Sequence, residues 1–408
     1  MITDVRTLPP RPRLEQYRKQ AKDLLKLWKS GDAEALRRAW RFHPRLNGHA
    51  RPGNRSESRT PAPFLLADAQ LVLAREHGFE SWPKFAKHIA ALNRKDSLVP
   101  AFELAADAIA AGDAATLRRL LRENPALIRE RSTRAHGATL LHYIGANGVE
   151  DYRQKSPKNT LEVVKILLDA GAEVDAVADM YDGDTPLGLV ATSIHPRRAG
   201  VQEALMETLL AAGATVSPRG SIVNACLANG RGPAADFLAR RGAKLDLEGA
   251  AGVGRLDVVK SFFKGDGALS AAATRRQMQS GLNWACEYGH AGVVEFLLEN
   301  GADPGVPDDH GQTPLHWAVI GGQLEITRIL LRRNAPLEAK NAYGGTVFGQ
   351  AVWSALHDEL GVDYLPVIEA LLDAGADPSV ITLPTGNKRI DELLRIHRVR
   401  AADRVADN

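Results

Sequence analysis

The amino-acid sequence predicts an all-α fold: a solenoid of about eight helix-pair repeats, with short β-hairpin fingers and a helical cap at each end. Three observations lead to this prediction. A Leu-Leu-type pair followed by Gly-Ala recurs along the chain, and the apolar residues before it are spaced as on one face of a helix. The step from Gly301 to Asn334 is 33 residues, a length typical of helical repeats that stack on one another.

Residues 1–96 predict a small helical domain that caps the array. Residues 11–41 carry two helical patterns that stop at His43-Pro44, and two more follow a loop at 47–63 that is rich in Gly, Pro, Ser and Arg. An array of repeats needs such a cap, because its terminal apolar face would otherwise meet water.

Residues 97–380 hold the repeats, and each repeat pairs a short Ala-rich helix with a longer amphipathic one. The longer helix ends at a small residue that can adopt a positive φ. The residues at this position are Gly171, Gly213, Gly242, Gly267, Gly301, Asn334 and Gly375. After them, residues 381–408 contain GNKRIDELLRIHRVR, which predicts a helix that closes the array.

Thr313-Pro314-Leu315-His316-x-Ala318, together with the 33-residue step, resembles the signature of the ankyrin repeat family. The resemblance covers residues 97–380 in eight units, and the pattern as a whole looks like that of bacterial ankyrin proteins. Other units depart from the signature, as in Thr185-Pro186-Leu187-Gly188. The resemblance implies antiparallel helix pairs, a hairpin finger before each first helix, and a concave groove lined by the fingers and the first helices.

Three units are longer than the others, and their extra residues fall at one place in the repeat. The step from the residue equivalent to Thr313 to the closing residue is 21 in regular units, but 32, 28 and 29 in units two, three and eight. The extra segments, GVEDYRQKSPKN, SIHPRRAGVQ and SALHDELGVDYLP, lie between the first and second helices. One longer loop costs little free energy, but three at one position predict a binding surface along one rim of the groove.

The middle of the array is shortened instead. The step from the closing residue to the next Thr-equivalent residue is 12 in regular units, but 8 after Gly213 and 3 after Gly242, which places Leu245 at the Thr position. After Gly267, ALSAAATRRQMQS predicts a helical turn rather than a hairpin. Two fingers are therefore expected to be truncated.

Units four and five carry small residues at positions that face the groove. These residues are Ala225, Ala228, Gly249 and Gly252. With aromatic residues on one side of them, they predict a recess between repeats 3 and 7, wide enough for a side chain or a small molecule. The alternative explanation is repeat decay, in which larger side chains were lost at these positions without creating a binding site.

The candidate binding residues lie on first helices, fingers and insertions around the groove. They are Tyr143, Asn147, Asp182, Asp184, Arg197, Glu248, Trp284, Glu287, Tyr288, His310, Trp317, Trp353 and His357. Glu248 is assigned to the position of the motif histidine in unit five. Paired carboxylates can act as acid and base when their surroundings separate their pKa values, so a catalytic role stays open, although no phosphate loop, H-E-x-x-H or G-x-S-x-G motif accompanies them.

Composition excludes several other classes of protein. The two cysteines, Cys226 and Cys286, are too few for a disulfide framework or a zinc site, and we expect them to be buried thiols. The chain begins without a secretory signal and has no membrane-spanning stretch, so we expect a cytoplasmic protein. We expect no cofactor and no metal.

We therefore expect a non-enzymatic, monomeric scaffold that binds a protein partner in the concave groove. The alternative is a small-molecule-binding protein or an enzyme with its site in the central recess. A third possibility follows from charge, since residues 1–100 hold 20 basic and 10 acidic residues, which could contact nucleic acid. We favour a solvated helical surface instead, because these charges are interleaved with Leu, Ala and acidic residues at helical spacing.

Overall fold

The computed structural model describes residues 5–46, 63–181, 184–216, 221–357 and 361–406, with side chains up to residue 399. The chain divides into two compact units, residues 1–216 and 217–408. Within the described residues all regular secondary structure is helical, and the fingers form only isolated bridges, such as Arg131 with Thr139 and Lys340 with Thr346. The prediction of an all-α fold is confirmed.

The first unit begins with four helices that the periodicity predicted. They are α1 (Leu14–Lys29), α2 (Ala33–Phe42), α3 (Leu66–Glu76) and α4 (Trp82–Leu92). Asp32 and Ser81 start α2 and α4, because their side-chain oxygens accept hydrogen bonds from the backbone N–H groups of Ala35 and Lys84. Tyr17, Phe79 and Phe85 pack in one apolar cluster beneath them.

Three repeats complete the first unit. Their helices are α5 (Val99–Ala111), α6 (Ala114–Glu123), α7 (Thr160–Asp169), α8 (Pro186–Thr192), α9 (Ile194–Arg198) and α10 (Gln202–Ala211). The first helix of unit two is a 3₁₀ helix, Leu140–Gly145, rather than an α-helix. The insertions also form structure, since the one in unit two contains the 3₁₀ helix Asp151–Arg153 and the one in unit three contains α9.

The second unit holds five helix pairs and a closing helix. They are α11 (Ile222–Ala228), α12 (Gly232–Arg240), α13 (Leu247–Gly252), α14 (Leu256–Ser261), α15 (Arg275–Tyr288), α16 (Ala291–Glu299), α17 (Pro314–Ile320), α18 (Leu324–Arg332), α19 (Val347–His357), α20 (Leu365–Asp373) and α21 (Lys388–Ala406). The predicted closing helix is thus present, and Ile390 and Leu394 on α21 are buried in the core cluster of this unit.

Local chemistry explains where many of the repeat helices begin and end. At the start of α17, the ring Nδ1 of His316 accepts a hydrogen bond from the backbone N–H of Thr313 and lies 2.9 Å from its hydroxyl. At the closing position, Gly301 and Asn334 adopt φ values of 90° and 57°, which few other residues tolerate. The sequence signature is therefore a set of helix start and stop signals.

Two features of the middle repeats differ from the expectation. In unit five the helix is capped by Asp246, whose side chain accepts a hydrogen bond from Gly249, and not by Leu245. Counted from Asp246, the step to Gly267 is the regular 21 residues. In unit six, Thr274 starts α15 six residues before the expected Ser280, so part of the predicted helical turn belongs to a longer helix.

Candidate functional site

Aromatic side chains recur at the repeat spacing on the first helices and fingers of the second unit. Trp284 on α15 and Trp317 on α17 are 33 residues apart, as are His310 and Tyr343 on successive fingers. Trp353 lies on α19 about one helical turn after Gln350, which holds the position equivalent to Trp317. Because α15 packs against α17, and α17 against α19, residues one repeat step apart lie on the same side of the stack. We call these five aromatic residues the aromatic face.

Two members of the aromatic face are unusually exposed. The side chain of Tyr343 is 84% exposed and that of Trp353 is 57% exposed. The Trp353 ring stacks on the imidazole of His357 with a centroid distance of 4.4 Å and an interplanar angle of 18°. Large aromatic side chains presented to solvent are typical of residues that anchor a bound protein.

The finger beside Trp317 has a fixed conformation. Trp317 Nε1 donates a hydrogen bond of 3.0 Å to Asp308, and the other oxygen of that carboxylate accepts from the backbone N–H groups of His310 and Gln312. The backbone carbonyl of His310 accepts from Ala342 in the next finger. This side of the aromatic face is therefore ordered before any partner binds, which lowers the entropy cost of binding.

A cavity of about 390 Å³ opens between the start of α15 and the same finger. Asp308, the partner of Trp317, lies in its wall together with the polar residues Gln279 and Asn283. Gln279 joins the two walls, because its amide donates to the backbone carbonyl of Asp303 and accepts from the backbone N–H. Asn283 is buried and its Oδ1 has no hydrogen-bond partner, so the cavity offers an acceptor to a donor group of a ligand.

Glu287 and Tyr288, both half-buried at the end of α15, take different roles. The Tyr288 hydroxyl donates to the backbone carbonyl of Leu227, and its ring lies where a Cβ on Gly232 would be, 2.7 Å away. Tyr288 therefore packs on α11 and α12. Burial raises the pKa of Glu287 to about 7, an effect that a side-chain hydrogen bond with Tyr288 opposes.

The predicted central recess is wrong at its two glycines. A Cβ added to Gly252 would lie 2.4 Å from the side chain of Leu227 and 3.2 Å from Cβ of Trp284, and one added to Gly249 would lie 2.7 Å from Asn224. These glycines allow helices to approach closely and leave no space for a ligand. Only Ala225 and Ala228 are exposed.

The position assigned to Glu248 is also wrong. Since Asp246 caps the helix, Gly249 and not Glu248 takes the place of the motif histidine. Glu248 is half-buried, and burial raises the pKa of its carboxyl group, with the Asp246 carboxylate adding to this effect and a hydrogen bond with Ser280 opposing it.

Of the candidates in the first unit, Tyr143 does not line a groove. Its side chain is fully buried, with the ring edge-on to Phe102, because it lies on the inner side of the 3₁₀ helix. Asn147 accepts a hydrogen bond of 2.8 Å from the exposed Tyr181 hydroxyl. Arg197 lies half-buried on α9, and Asp182 lies outside the described residues.

Asp184 replaces a missing histidine. Unit three has Gly188 at the motif position, and Oδ1 of Asp184 lies where a Cβ on Gly188 would be. The same oxygen accepts a hydrogen bond of 2.9 Å from the backbone N–H of Thr185. Burial raises the pKa of Asp184 to about 6, and the hydrogen bond from Thr185 only partly offsets this.

The insertion of unit two contains a buried set of charges that the sequence did not reveal. Glu150 and Arg153 are 1% and 3% exposed. Arg153 contacts Glu150 at 3.2 Å and Glu103 on α5 at 2.9 Å, and Arg134 contacts the same two carboxylates. We call Glu103, Arg134, Glu150 and Arg153 the ionic cluster. It binds the insertion to the body of the unit, so this insertion has a structural role, and the predicted binding surface along the rim stays a prediction.

The described residues contain no group of His, Cys, Asp or Glu side chains that could hold a metal ion. Cys226 and Cys286 are buried thiols, as expected, and burial raises the pKa of the Cys286 thiol. Among the described helices, none has the length and apolar character needed to cross a membrane.

Comparison with known proteins gives short but consistent similarities. The family model "Ankyrin repeats (3 copies)" matches residues 247–341 and 282–382. Neurogenic locus notch homolog protein 1 of Xenopus tropicalis is 34% identical over 122 residues, 30% of this chain and 4% of that protein. Putative ankyrin repeat protein L92 of Acanthamoeba polyphaga mimivirus is 49% identical over 55 residues, 14% of this chain and 13% of that protein.

One further relative gives a similarly short sequence match, and one solved structure gives a weak structural alignment. ADP-ribosylation factor GTPase-activating protein AGD4 of Arabidopsis thaliana is 38% identical over 79 residues, 19% of this chain and 10% of that protein. The matches thus span at most 13% of the length of these three relatives. The crystal structure of the human ASB11 ankyrin repeat domain aligns with 67% of this chain and 98% of its own, at 22% identity and a TM-score of 0.35.

Proposed function

Because the chain carries ankyrin repeats, matched by the family model within residues 247–382, we propose that its second unit is a protein-binding module that contacts a partner through the aromatic face. Ankyrin repeats in general mediate interactions between proteins. The observation that carries the proposal is the pair of exposed aromatic side chains, Tyr343 and Trp353, set among residues that recur at the repeat spacing.

The surroundings of the aromatic face favour an extended peptide with an apolar side chain and a hydrogen-bond donor. The aromatic rings offer apolar contact area at low entropy cost. The cavity beside Trp317 presents the unpaired Oδ1 of Asn283, together with carboxylates such as Asp303. A donor such as an amide, a guanidinium group or an ammonium group complements these oxygens.

Peptide selection with matched variants tests this proposal. A random peptide library displayed on phage is panned on the full chain, and the recovered peptides are measured against Tyr343→Ala, Trp353→Ala and, as a control, Val380→Ala. Val380 lies in the same unit, is 49% exposed, and is not part of the aromatic face. We expect each aromatic substitution to weaken binding by about tenfold or more, equivalent to ~1.4 kcal/mol.

Equal binding by all three variants would contradict the proposal. Thermal unfolding of each variant is compared with that of the parent chain, and we expect no change because all three side chains are exposed. Peptides that lose affinity only with Val380→Ala would move the binding site away from the aromatic face.

We propose further that residues 1–96 cap the repeats of the first unit and that the chain acts as a monomer in the cytoplasm. Cys226 and Cys286 are buried thiols, a state that a reducing compartment preserves. A single species of 44.1 kDa in sedimentation equilibrium is the expected result for a monomer, and a mass that rises with concentration would contradict it.

A further inference from the structure

The first unit contains a cavity that none of the functions above uses. It has a volume of about 450 Å³, within the range of small-molecule sites. Its walls come from the segment before α1, from α4, from α5, from the loop after α6 and from the insertion of unit two. The lining residues are Thr7, Leu8, Pro9, Pro10, His88, Leu92, Pro100, Glu103, Leu104, Asp107, Arg134, Tyr152 and Arg153. We call it the junction cavity.

One wall of the junction cavity carries charged side chains, and these are already paired with one another. Arg153 donates to Asp107 at 2.8 Å and to Glu103 at 2.9 Å, and Arg134 donates to Glu103 at 2.5 Å. Two cations thus face two carboxylates in the lining, and Glu150 adds a third carboxylate behind them. An anionic ligand would meet these carboxylates, and a cationic ligand would meet two guanidinium groups that it cannot displace. The wall therefore suits an uncharged ligand.

His88 gives the cavity an unsatisfied polar group. Its side chain is 1% exposed, Nδ1 lies 2.6 Å from the hydroxyl of Thr133, and Nε2 has no hydrogen-bond partner. Burial lowers the pKa of His88 to about 4, and the positive charge of Arg134 contributes to this, so the ring is neutral at pH 7. A buried ring nitrogen without a partner costs free energy that a ligand hydrogen bond would recover.

Most of the remaining lining is apolar, with Thr7 and Tyr152 as its polar members. Leu8, Leu92 and Leu104 provide apolar surface, and the prolines Pro9 and Pro10 restrict the backbone of the segment that forms one wall. A flat or compact apolar body therefore finds contact area there, while its polar group faces His88. An amide is the polar group that fits best, because it can both donate and accept and so complements Nε2 in either tautomer of the ring.

We propose that the junction cavity binds a small uncharged molecule that joins an apolar body to an amide group. Its apolar body packs against the leucines and prolines, and its amide hydrogen-bonds to Nε2 of His88. The ionic cluster holds this wall in place and is not displaced by the ligand.

Three probes of the same shape and different charge test the site. Benzamide, benzoate and benzamidine share one ring and are neutral, anionic and cationic at pH 7. Each is titrated into the full chain while the ring signals of His88 are followed by NMR, after assignment by comparison with His88→Gln. We expect saturable shifts of the His88 signals with benzamide, and at least tenfold weaker effects with the two charged probes.

A blocking substitution locates the binding. Leu104→Trp enlarges a side chain that lines the cavity and is 53% exposed, so the fold should tolerate it. Leu27→Trp is the matched control, since Leu27 is 44% exposed and lies outside the cavity lining. We expect the first substitution to abolish the benzamide shifts and the second to leave them unchanged.

Each other outcome overturns the proposal. Equal or tighter binding of benzoate or benzamidine would contradict an uncharged ligand. Shifts that persist in Leu104→Trp would place the site elsewhere. Absence of saturable shifts with all three probes, in a chain whose thermal unfolding matches the parent, would show that the cavity is not a ligand site.

Discussion

At the position of the motif histidine, this chain uses several different residues, and each changes the local chemistry. The residues at this position in units two to eight are His142, Gly188, Asn224, Gly249, Asn283, His316 and Gly349. Where histidine is kept, its ring binds the start of its own helix, as His316 does with Thr313. Where another residue stands at this position, it makes different contacts. The Asn224 side chain, for example, donates a hydrogen bond of 2.9 Å to the Asp246 carboxylate. The substitution in unit three has a consequence for pH dependence.

Asp184→Asn should stabilise the first unit at pH 8 but not at pH 4. The pKa of Asp184 is raised to about 6 in the fold, from a usual value near 3.8. The stabilising effect of its protonated form is therefore complete below pH 3.8 and is lost as the pH rises through about 6. Asparagine keeps the acceptor for Thr185 and carries no charge at any pH.

Urea unfolding of both proteins at the two pH values measures this effect. After allowing for the partial exposure of Asp184, we expect the advantage of the variant to grow by about 1–2 kcal/mol between pH 4 and pH 8. An advantage that shrinks with rising pH would mean that the folded state favours the charged carboxylate.

At the scale of elements, local signals predicted most of the fold. Helix ends were predictable because Gly301 or Asn334 must adopt positive φ, and helix starts because Asp32 and Ser81 cap them. The first residue of the helix in unit five was not predictable. Either Leu245 or Asp246 could begin that helix until the side-chain hydrogen bond to Asp246 was known.

The role of the insertion in unit two and most of the candidate site depend on contacts distant in sequence. Arg153 contacts Glu103, which lies 50 residues earlier, and no periodicity reveals such a pair. For the same reason the burial of Tyr143 and the close packing at Gly252 were missed, whereas the exposed Trp353 follows from the repeat position alone.

Arg153→Ala should destabilise the first unit strongly. Removing this side chain leaves Glu103 and Glu150 buried with one fewer cation, an effect that costs about 3–5 kcal/mol in buried pairs. Arg118→Ala is the matched control, because Arg118 forms a solvent-exposed ion pair with Glu162, whose loss should change the free energy of unfolding only slightly. Circular dichroism during urea unfolding gives both values, and a similar small loss for the two variants would mean that the insertion does not brace the unit.

At the scale of the whole molecule, charge is unevenly distributed, with a net charge of +10 in residues 1–100 and −7 in the remainder. In the described part of the first hundred residues, many basic side chains already have acidic partners. These ion pairs are Arg18–Glu15, Arg37–Glu34, Arg38–Glu76, Arg45–Asp68, Lys84–Glu80 and Arg94–Asp96. Nucleic-acid binding through this region would have to break such pairs or use the remaining cations.

We therefore expect no specific binding of nucleic acid by the full chain. Fluorescence anisotropy with labelled duplex DNA, single-stranded DNA and RNA at 150 mM salt should show no saturation below about 1 μM protein, since weak contacts to phosphates alone give dissociation constants of ~10⁻⁴–10⁻⁶ M. Any residual signal should fall as salt is raised, because each phosphate contact releases counterions. Submicromolar binding with a steep dependence on salt would contradict this expectation. It would mean that the basic residues of the first hundred positions act together as a nucleic-acid surface, and that their pairing with carboxylates is too weak to prevent it.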